Sequence, residues 1–246
     1  MLAASMDNHP NRFGDGPLFR LTAGLCPTTP IASALLIAPF VWPMAYAQPV
    51  NIDIKGPTQI QVLAQSPAET TAELQVICLF RSSPVNTLHG SLTEMNEKMK
   101  GLLDRIRKPE LFRGELGETL LITPPKDSLG AKKLLIIGLG DSQSFSPQRM
   151  QLVGEILYTE ASRIGVAHPF FAPTILDGGV SKFTTGEVAE QVIGGFLRAG
   201  ATDKVLRDAD ASASQGVTAL TYLAGAKNVD STREGIDKAI AAAARK

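Results

Sequence analysis

Hydrolysis by a bound metal needs several ligands converging on the ion and one position left open for water. Side chains of that kind are sparse here. The histidines are His9, His89 and His168, far apart along the chain. No H-E-x-x-H pattern and no Cys/His cluster is present. There is no G-x-S-x-G turn either, so a nucleophile-elbow hydrolase has no support. Cys26 and Cys78 are too few for a disulfide framework. Cys78 sits inside the apolar run Leu74 to Phe80 and is expected to be a small buried hydrophobe rather than a nucleophile. The residues thus point to no catalytic group, no metal ligand set and no cofactor.

Two glycine turns are the candidates for ligand contact. In Gly138-Leu139-Gly140-Asp141 the turn follows a wholly apolar run and precedes a helix start at Ser146-Pro147. Ligands of open α/β sheets collect at the carboxyl ends of strands, and helix N-termini attract anions. Gly138, Gly140 and Asp141 are therefore candidate ligand-binding residues. The turn lacks the third glycine of a dinucleotide fingerprint. Gly178 and Gly179, after Asp177, form a second candidate loop at the same rim.

The elements that carry these turns follow from hydrophobic period. Strands are expected at Gln59 to Ala64, Ala72 to Phe80, Gly117 to Thr123, Lys133 to Leu139, within Val166 to Leu176, and at Val217 to Leu223. Pro169 and Pro173 argue for an edge or irregular course in the fifth of these. Arg81 to Asn86 reads as a Ser/Pro turn. Helices are expected to start at three capping boxes, Ser91/Glu94, Thr184/Glu187 and Ser231/Glu234, and at Ser146-Pro147. Leu92, Met95, Met99, Leu102, Leu103 and Ile106 form one apolar stripe that stops at Lys108-Pro109. Met150, Val153, Ile156, Leu157, Ala161 and Ile164 form another, closed by Gly165. The order ββαββαβαβα implies a three-layer α/β domain around a mixed sheet.

The chain of 246 residues is 44% hydrophobic and 20% charged, which supports a packed core and argues against disorder. With 24 basic and 24 acidic residues there is no broad pull toward nucleic acid or an acidic membrane. Residues 1–47 have the layout of a secretory signal. Arg12 and Arg20 precede the apolar stretch Ile31 to Val41, and Ala45-Tyr46-Ala47 supplies an A-x-A cleavage site. The stretch is shorter than the roughly 20 residues of a membrane-spanning helix. The true start is Met1 or Met6, and the mature domain is expected over 48–246, periplasmic or secreted.

The run from Phe112 to Asp141 resembles the N-terminal domain of the leucyl aminopeptidase family. The residues that carry the resemblance are Phe112, Gly114, Gly117, Glu118, Lys133 and Gly138-Leu139-Gly140. Thr185 to Ala199 resembles the family's next helix, whereas Gly200 to Lys204 departs from its aromatic, basic continuation. The resemblance covers roughly Ile60 to Ala243. It implies a macro-domain-like fold with a mixed, mostly parallel central sheet, and a domain that helps assembly rather than catalysis. In the family the peptidase chemistry belongs to a C-terminal domain that holds a pair of metal ions, and this chain stops where the linker to that domain would begin. The family's metal-binding run is absent. Asp230 and Glu234 superficially resemble part of it, but they stand four positions apart at a helix start, where negative charge suits the dipole.

The resulting expectation is an exported, non-catalytic binding or assembly module, forming a homo-oligomer or pairing with a separate peptidase chain. Two alternatives stay open: a regulatory subunit of such a chain, and a binder of nucleotide or ADP-ribose-like ligands by analogy of fold. Export has a direct test. Expression in a bacterial host should give a mature N-terminus at Gln48 in the periplasmic fraction, read by intact mass; an uncleaved cytoplasmic chain would remove the signal reading.

Overall fold

The computed structural model describes residues 51–245, apart from 55, 57, 83–86 and 108–110. The expected signal segment, most of the 81–86 turn and the helix stop at Lys108-Pro109 lie outside the described residues. Seven strands form one sheet: β1 (Asn51–Ile54), β2 (Gln59–Ala64), β3 (Ala72–Leu79), β4 (Thr119–Ile122), β5 (Ala131–Gly138), β6 (Phe170–Ala172) and β7 (Ala219–Ala224). Their order is β1-β2-β7-β6-β3-β5-β4. The inner five pair in parallel, while β1 on β2 and β4 on β5 pair antiparallel at the two edges. The sheet is mixed and mostly parallel, as the resemblance implies.

Alternation along β3 and β5 builds the three layers. Leu74, Val76 and Cys78, with Leu135 and Ile137, face α3 (Met150–Arg163), α4 (Thr185–Asp208) and α5 (Val229–Ala243). Ile77 and Leu79, with Leu134 and Ile136, face α1 (Gly90–Lys98) and α2 (Leu102–Ile106). Successive side chains of a strand point to opposite faces, so an unbroken apolar run is the signature of a strand covered on both sides.

Four expectations need correction. First, β6 is central, not an edge. Pro169 and Pro173 flank a three-residue ladder instead of interrupting it, and Phe170 to Ala172 pair with both β3 and β7. Second, β1 was not anticipated, because Asn51 to Ile54 is too short for its alternation to register. Third, the stripe from Leu92 to Ile106 is two helices, not one. The chain breaks at Lys100 and Gly101, with φ of 54° and 75°, and the break still leaves Leu92, Met95, Met99 and Leu103 buried. Fourth, of the three capping boxes only Thr184/Glu187 forms. Ser91 donates to Asp177 instead, and Glu94 takes Ser66 and Lys98. Ser231 lies inside α5, where its hydroxyl accepts from the Gly186 N–H at 3.1 Å. Local spacing proposed a partner in each case, and a tertiary partner took the group.

The far end of α4 is held by one carboxylate. Asp203 accepts from Ser214 at 2.7 Å, from Tyr158 at 2.9 Å, from Arg207 at 3.1 Å and from Ser212 at 3.4 Å. These bonds tie α4 to α3 and to the connection into β7. Burial pushes the Asp203 carboxyl up, but the Ser214, Tyr158 and Ser212 hydrogen bonds and the Arg207 charge outweigh it and hold it below the usual carboxylate range. A carboxyl depressed in the folded state stabilises above its unfolded value of about 4, and that stabilisation fades as pH falls below it. Asp203→Asn should unfold at lower temperature than wild type at neutral pH, and its disadvantage should shrink between about pH 4 and about pH 2. A constant gap across that range would mean that the network does not depend on the charge.

Candidate functional site

At the carboxyl ends of β2, β6 and β7 lies a cavity of about 440 Å³, within the size range of small-molecule sites. Ala64, Ala172 and Ala224, the last residues of those strands, keep its floor low. The loop Pro173–Asp177 forms one wall. Phe183 to Thr185 at the start of α4 form a second, and Gly225, Ala226 and Asn228 with Thr232 at the start of α5 form a third. Ser91 and Glu94 of α1 reach it from the other face of the sheet.

Thr174 shapes the first wall. It is buried, non-glycine and left-handed, with φ of 50°, a conformation that persists only where the surroundings impose it. Here the imposition is two hydrogen bonds. The Thr174 hydroxyl accepts from the Cys78 N–H at 3.0 Å and donates to the Cys78 carbonyl at 2.6 Å. The wall is thereby anchored to β3. At its far end the Asp177 carbonyl accepts from the His89 N–H at 2.9 Å and the carboxylate accepts from Ser91. That carboxylate overlies Gly90, where an added Cβ would lie 2.4 Å from Oδ1. Asp177 thus supplies negative charge at the N-terminus of α1, which has no side-chain cap of its own.

Two groups at the cavity stand apart. Tyr222 on β7 and Thr232 on α5 line the cavity and are each only 1% exposed, their hydroxyl oxygens are shut off from solvent, and neither has a hydrogen-bond partner among the described residues. A buried hydroxyl left unpaired costs about 1–3 kcal/mol, so native structures rarely leave one. Burial pushes the Tyr222 phenol far up, so it stays a neutral donor and acceptor. By contrast the equally buried Thr221 is fully engaged, donating to Gln61 at 3.1 Å and meeting His168 Nε2 at 2.8 Å.

The structure places the predicted candidates as follows. Gly138 ends β5 against the 114–115 backbone, and a Cβ there would meet the Glu115 carbonyl at 2.0 Å. The Gly140 N–H donates to the Gly114 carbonyl at 2.8 Å, and the Gly140 carbonyl accepts from the Arg81 N–H at 2.8 Å. Asp141 accepts from the Gln143 N–H at 3.0 Å. This turn therefore spends its polar groups on its own chain, and Gly138, Gly140 and Asp141 are not cavity-lining residues. In the second loop Asp177 lines the cavity, whereas Gly178 packs behind it against the Phe80 ring and Gly179 turns the chain with φ of 85°. Tyr222, Thr232, Thr174 and Phe183 were missed by sequence reasoning. The one available signal was the adjacent hydroxyls of Thr221 and Tyr222 in the otherwise apolar run of β7.

Among the described residues no group of three or more His, Cys, Asp or Glu side chains is placed to hold a metal ion. His168 is exposed, and partial desolvation of its ring lowers its pKa. Cys78 is buried, and burial pushes its thiol up. Asp230 lies in the first turn of α5. Among the described residues no helix is long and apolar enough to cross a membrane. The Thr174 anchor is open to direct test. Thr174→Val orphans a buried N–H and should lower stability by about 1–3 kcal/mol in chemical denaturation, with Thr174→Ser closer to wild type. A valine variant as stable as wild type would show that the two bonds do not hold the wall.

Comparison with known proteins places these features in a family. Residues 76–207, more than half of the chain, match the model of the cytosol aminopeptidase family, N-terminal domain. A probable cytosol aminopeptidase of Alkaliphilus oremlandii is 26% identical over 168 residues, covering 67% of this chain and 32% of that protein. The chain thus spans about a third of that relative, and 23% of a second one from Thermosynechococcus vestitus that is 25% identical over 45% of this chain. Among solved structures, an Oceanobacillus iheyensis macrodomain mutant aligns with TM-score 0.56 and 8% identity, covering 81% of this chain and 98% of that one. The same macrodomain with ADP aligns at TM-score 0.50 and 10% identity, over 80% and 100%. A tomato leucine aminopeptidase mutant aligns at TM-score 0.53 and 18% identity, over 75% and 37%. At such identities these likenesses establish a macro-like α/β fold. By the family match over residues 76–207, this chain belongs to the cytosol aminopeptidase family and carries its N-terminal domain.

Proposed function

We propose that this domain is an exported, non-catalytic binding module, and that the cleft at the carboxyl rim of β2, β6 and β7 is where it binds a small molecule. One observation carries the reading: a cavity of about 440 Å³, of the size that small molecules occupy, lies at the carboxyl ends of β2, β6 and β7. Its position, outside the carboxyl ends of parallel strands, is the usual one for ligands of open α/β sheets. The macrodomain that aligns with this chain has been solved with ADP, which supports a nucleotide-class ligand by analogy of fold. The non-catalytic part draws on the sequence, which lacks the family's metal-binding run. Export draws on the apolar stretch and cleavage site before Gln48.

A second reading keeps its place because of the opposite edge of the sheet. Leu121 on edge strand β4 is 39% exposed, and Leu116 and Leu152 nearby are also exposed. That face suits an assembly role with a further copy or a separate catalytic chain, as the family resemblance implies.

The binding reading is tested by thermal unfolding of the pure chain with ADP, ADP-ribose, adenosine and nicotinamide, alongside an aminoacyl-anilide assay with added manganese or zinc. A ligand at a hundred times its Kd should stabilise by about 2.7 kcal/mol. The expected result is stabilisation by at least one compound and no anilide hydrolysis. Metal-dependent hydrolysis abolished by chelation would overturn the non-catalytic part; no shift with any compound would overturn the binding part.

A further inference from the structure

The two edges of the sheet are finished differently, and the difference says what the β4 edge is for. The inference rests on the assembly reading above and fixes its partner. On β1 the exposed Asp53 puts a charge into the edge strand, a usual guard against pairing with another sheet. In β4, Thr119 to Ile122, there is neither a charge nor a proline.

Which backbone groups of β4 stay open follows from its ladder with β5. The Glu118 carbonyl accepts from the Gly138 N–H at 2.7 Å, and the Gly138 carbonyl accepts from the Gly117 N–H at 3.0 Å. Two residues thus oppose one, a bulge that closes this end of the ladder. Bonded and unbonded pairs alternate in an antiparallel ladder, so from Glu118 onward Leu120 and Ile122 turn their backbone groups toward β5. Thr119 and Leu121 turn theirs outward, where no described strand lies. Pro124 bounds the open stretch on the other side.

The side chains beside this edge are apolar. Leu121 shares the face of its register partner Leu135, the face covered by α3, and is 39% exposed. A Cβ at Gly117 would lie 3.3 Å from Cδ2 of the exposed Leu152, so the surface of α3 continues onto the strand, and Leu116 adds a third exposed leucine. The neighbouring carboxylates are turned back on their own chain. Glu118 accepts from the Arg113 N–H at 3.3 Å and the Glu115 N–H at 3.0 Å, and Glu115 pairs with Arg81.

These features fit a second copy of the same chain. The register that uses both open residues is an antiparallel one about a two-fold axis at Leu120. It sets Thr119 of each copy opposite Leu121 of the other, and each such pair exchanges both of its N–H···O bonds. Glu118 then falls opposite Ile122, so no like charges meet across the axis. The α3 faces of the two copies lie on the same side of the joined sheet, and each strand brings the matching leucines with it, which an unrelated extended peptide does not.

We propose that the chain forms a homodimer through β4, in which the backbones of Thr119 and Leu121 join two sheets into one and Leu116, Leu121 and Leu152 cover the seam.

The test is sedimentation of the full chain over a range of concentrations, for the wild type, for Leu121→Lys and for Val205→Lys as a control on the exposed face of α4. A strand pair with a few leucines is smaller than the standard interface of roughly 1,600 Å², so the dimer should dissociate on dilution. The expected result is a wild-type dimer that Leu121→Lys weakens about tenfold or more, by bringing a cation to the seam from each copy, and that Val205→Lys leaves unchanged. Amide exchange of residues 117–123 in the wild type gives a second measure that needs no variant, and it should slow from the dilute to the concentrated sample. A monomer at every concentration would overturn the inference and leave pairing with a separate catalytic chain as the assembly reading. A dimer unaffected by Leu121→Lys, with exchange in 117–123 independent of concentration, would keep self-assembly and overturn its placement at β4.

Discussion

Helix α4 meets its neighbours backbone to backbone, and the cleft is where it is because of that contact. A Cβ added at Gly154 of α3 would lie 1.9 Å from the Val192 carbonyl of α4, and one at Gly195 of α4 would lie 2.0 Å from the Gln151 carbonyl of α3. At the start of α4 the same holds against α5, where a Cβ at Gly235 would lie 2.1 Å from the Gly186 carbonyl. No side chain fits between these surfaces, so the three helices are locked at fixed separations over the sheet. That lock sets the start of α4 and the first turn of α5 side by side above the last residues of β2, β6 and β7. Tyr222 of the sheet and Thr232 of α5 line the same cavity as a result.

The remaining wall depends on a strained loop held by hydrogen bonds. After Ala172 the chain leaves the sheet through Pro173, and Thr174 takes a left-handed conformation that costs about 1–3 kcal/mol. Its hydroxyl recovers part of that cost by serving both backbone groups of Cys78, so the loop rises from the adjacent strand instead of collapsing into the cavity. Asp177 closes the same loop on α1. The wall therefore links the helices below the sheet to the cleft above it, through one side chain at each end. Shortness in β6 is what makes this arrangement feasible, since a longer strand would carry the chain past Cys78 before it turned.

Charge is distributed to suit such a site. Carboxylates at the mouth are paired with hydroxyls, a lysine and a helix start, and the interior is left neutral. Thr221 against Gln61 and His168, and Asp203 at the end of α4, have completed hydrogen bonds, whereas the buried Gln75 Oε1 of β3 has no partner among the described residues.

Much of the architecture was written in local pattern. The apolar runs of β3 and β5 announced strands covered on both faces. The stripe through Leu92, Met95, Met99 and Leu103 lay on the core as its spacing required, although the helix that bears it breaks at Gly101. The motif from Phe112 to Asp141 carried the family. What local pattern did not carry was partner choice: Ser91 and Ser231 stand at capping-box spacing yet bond Asp177 and Gly186, and the prolines around β6 suggested an edge where the sheet has its centre. The site was hidden for the same reason. Gly138 and Gly140 look like a ligand turn in sequence, but packing gives the backbone groups of Gly138 to Glu118 and Gly117 and those of Gly140 to Gly114 and Arg81. Tyr222 and Thr232 look like core residues until the fold brings them to one cavity. Periodicity and composition act within a few residues, so the sequence alone determined the elements, their faces and the family. Hydrogen-bond partners are set between residues far apart in the chain, so only the tertiary structure decided where the cleft lies and which residues line it.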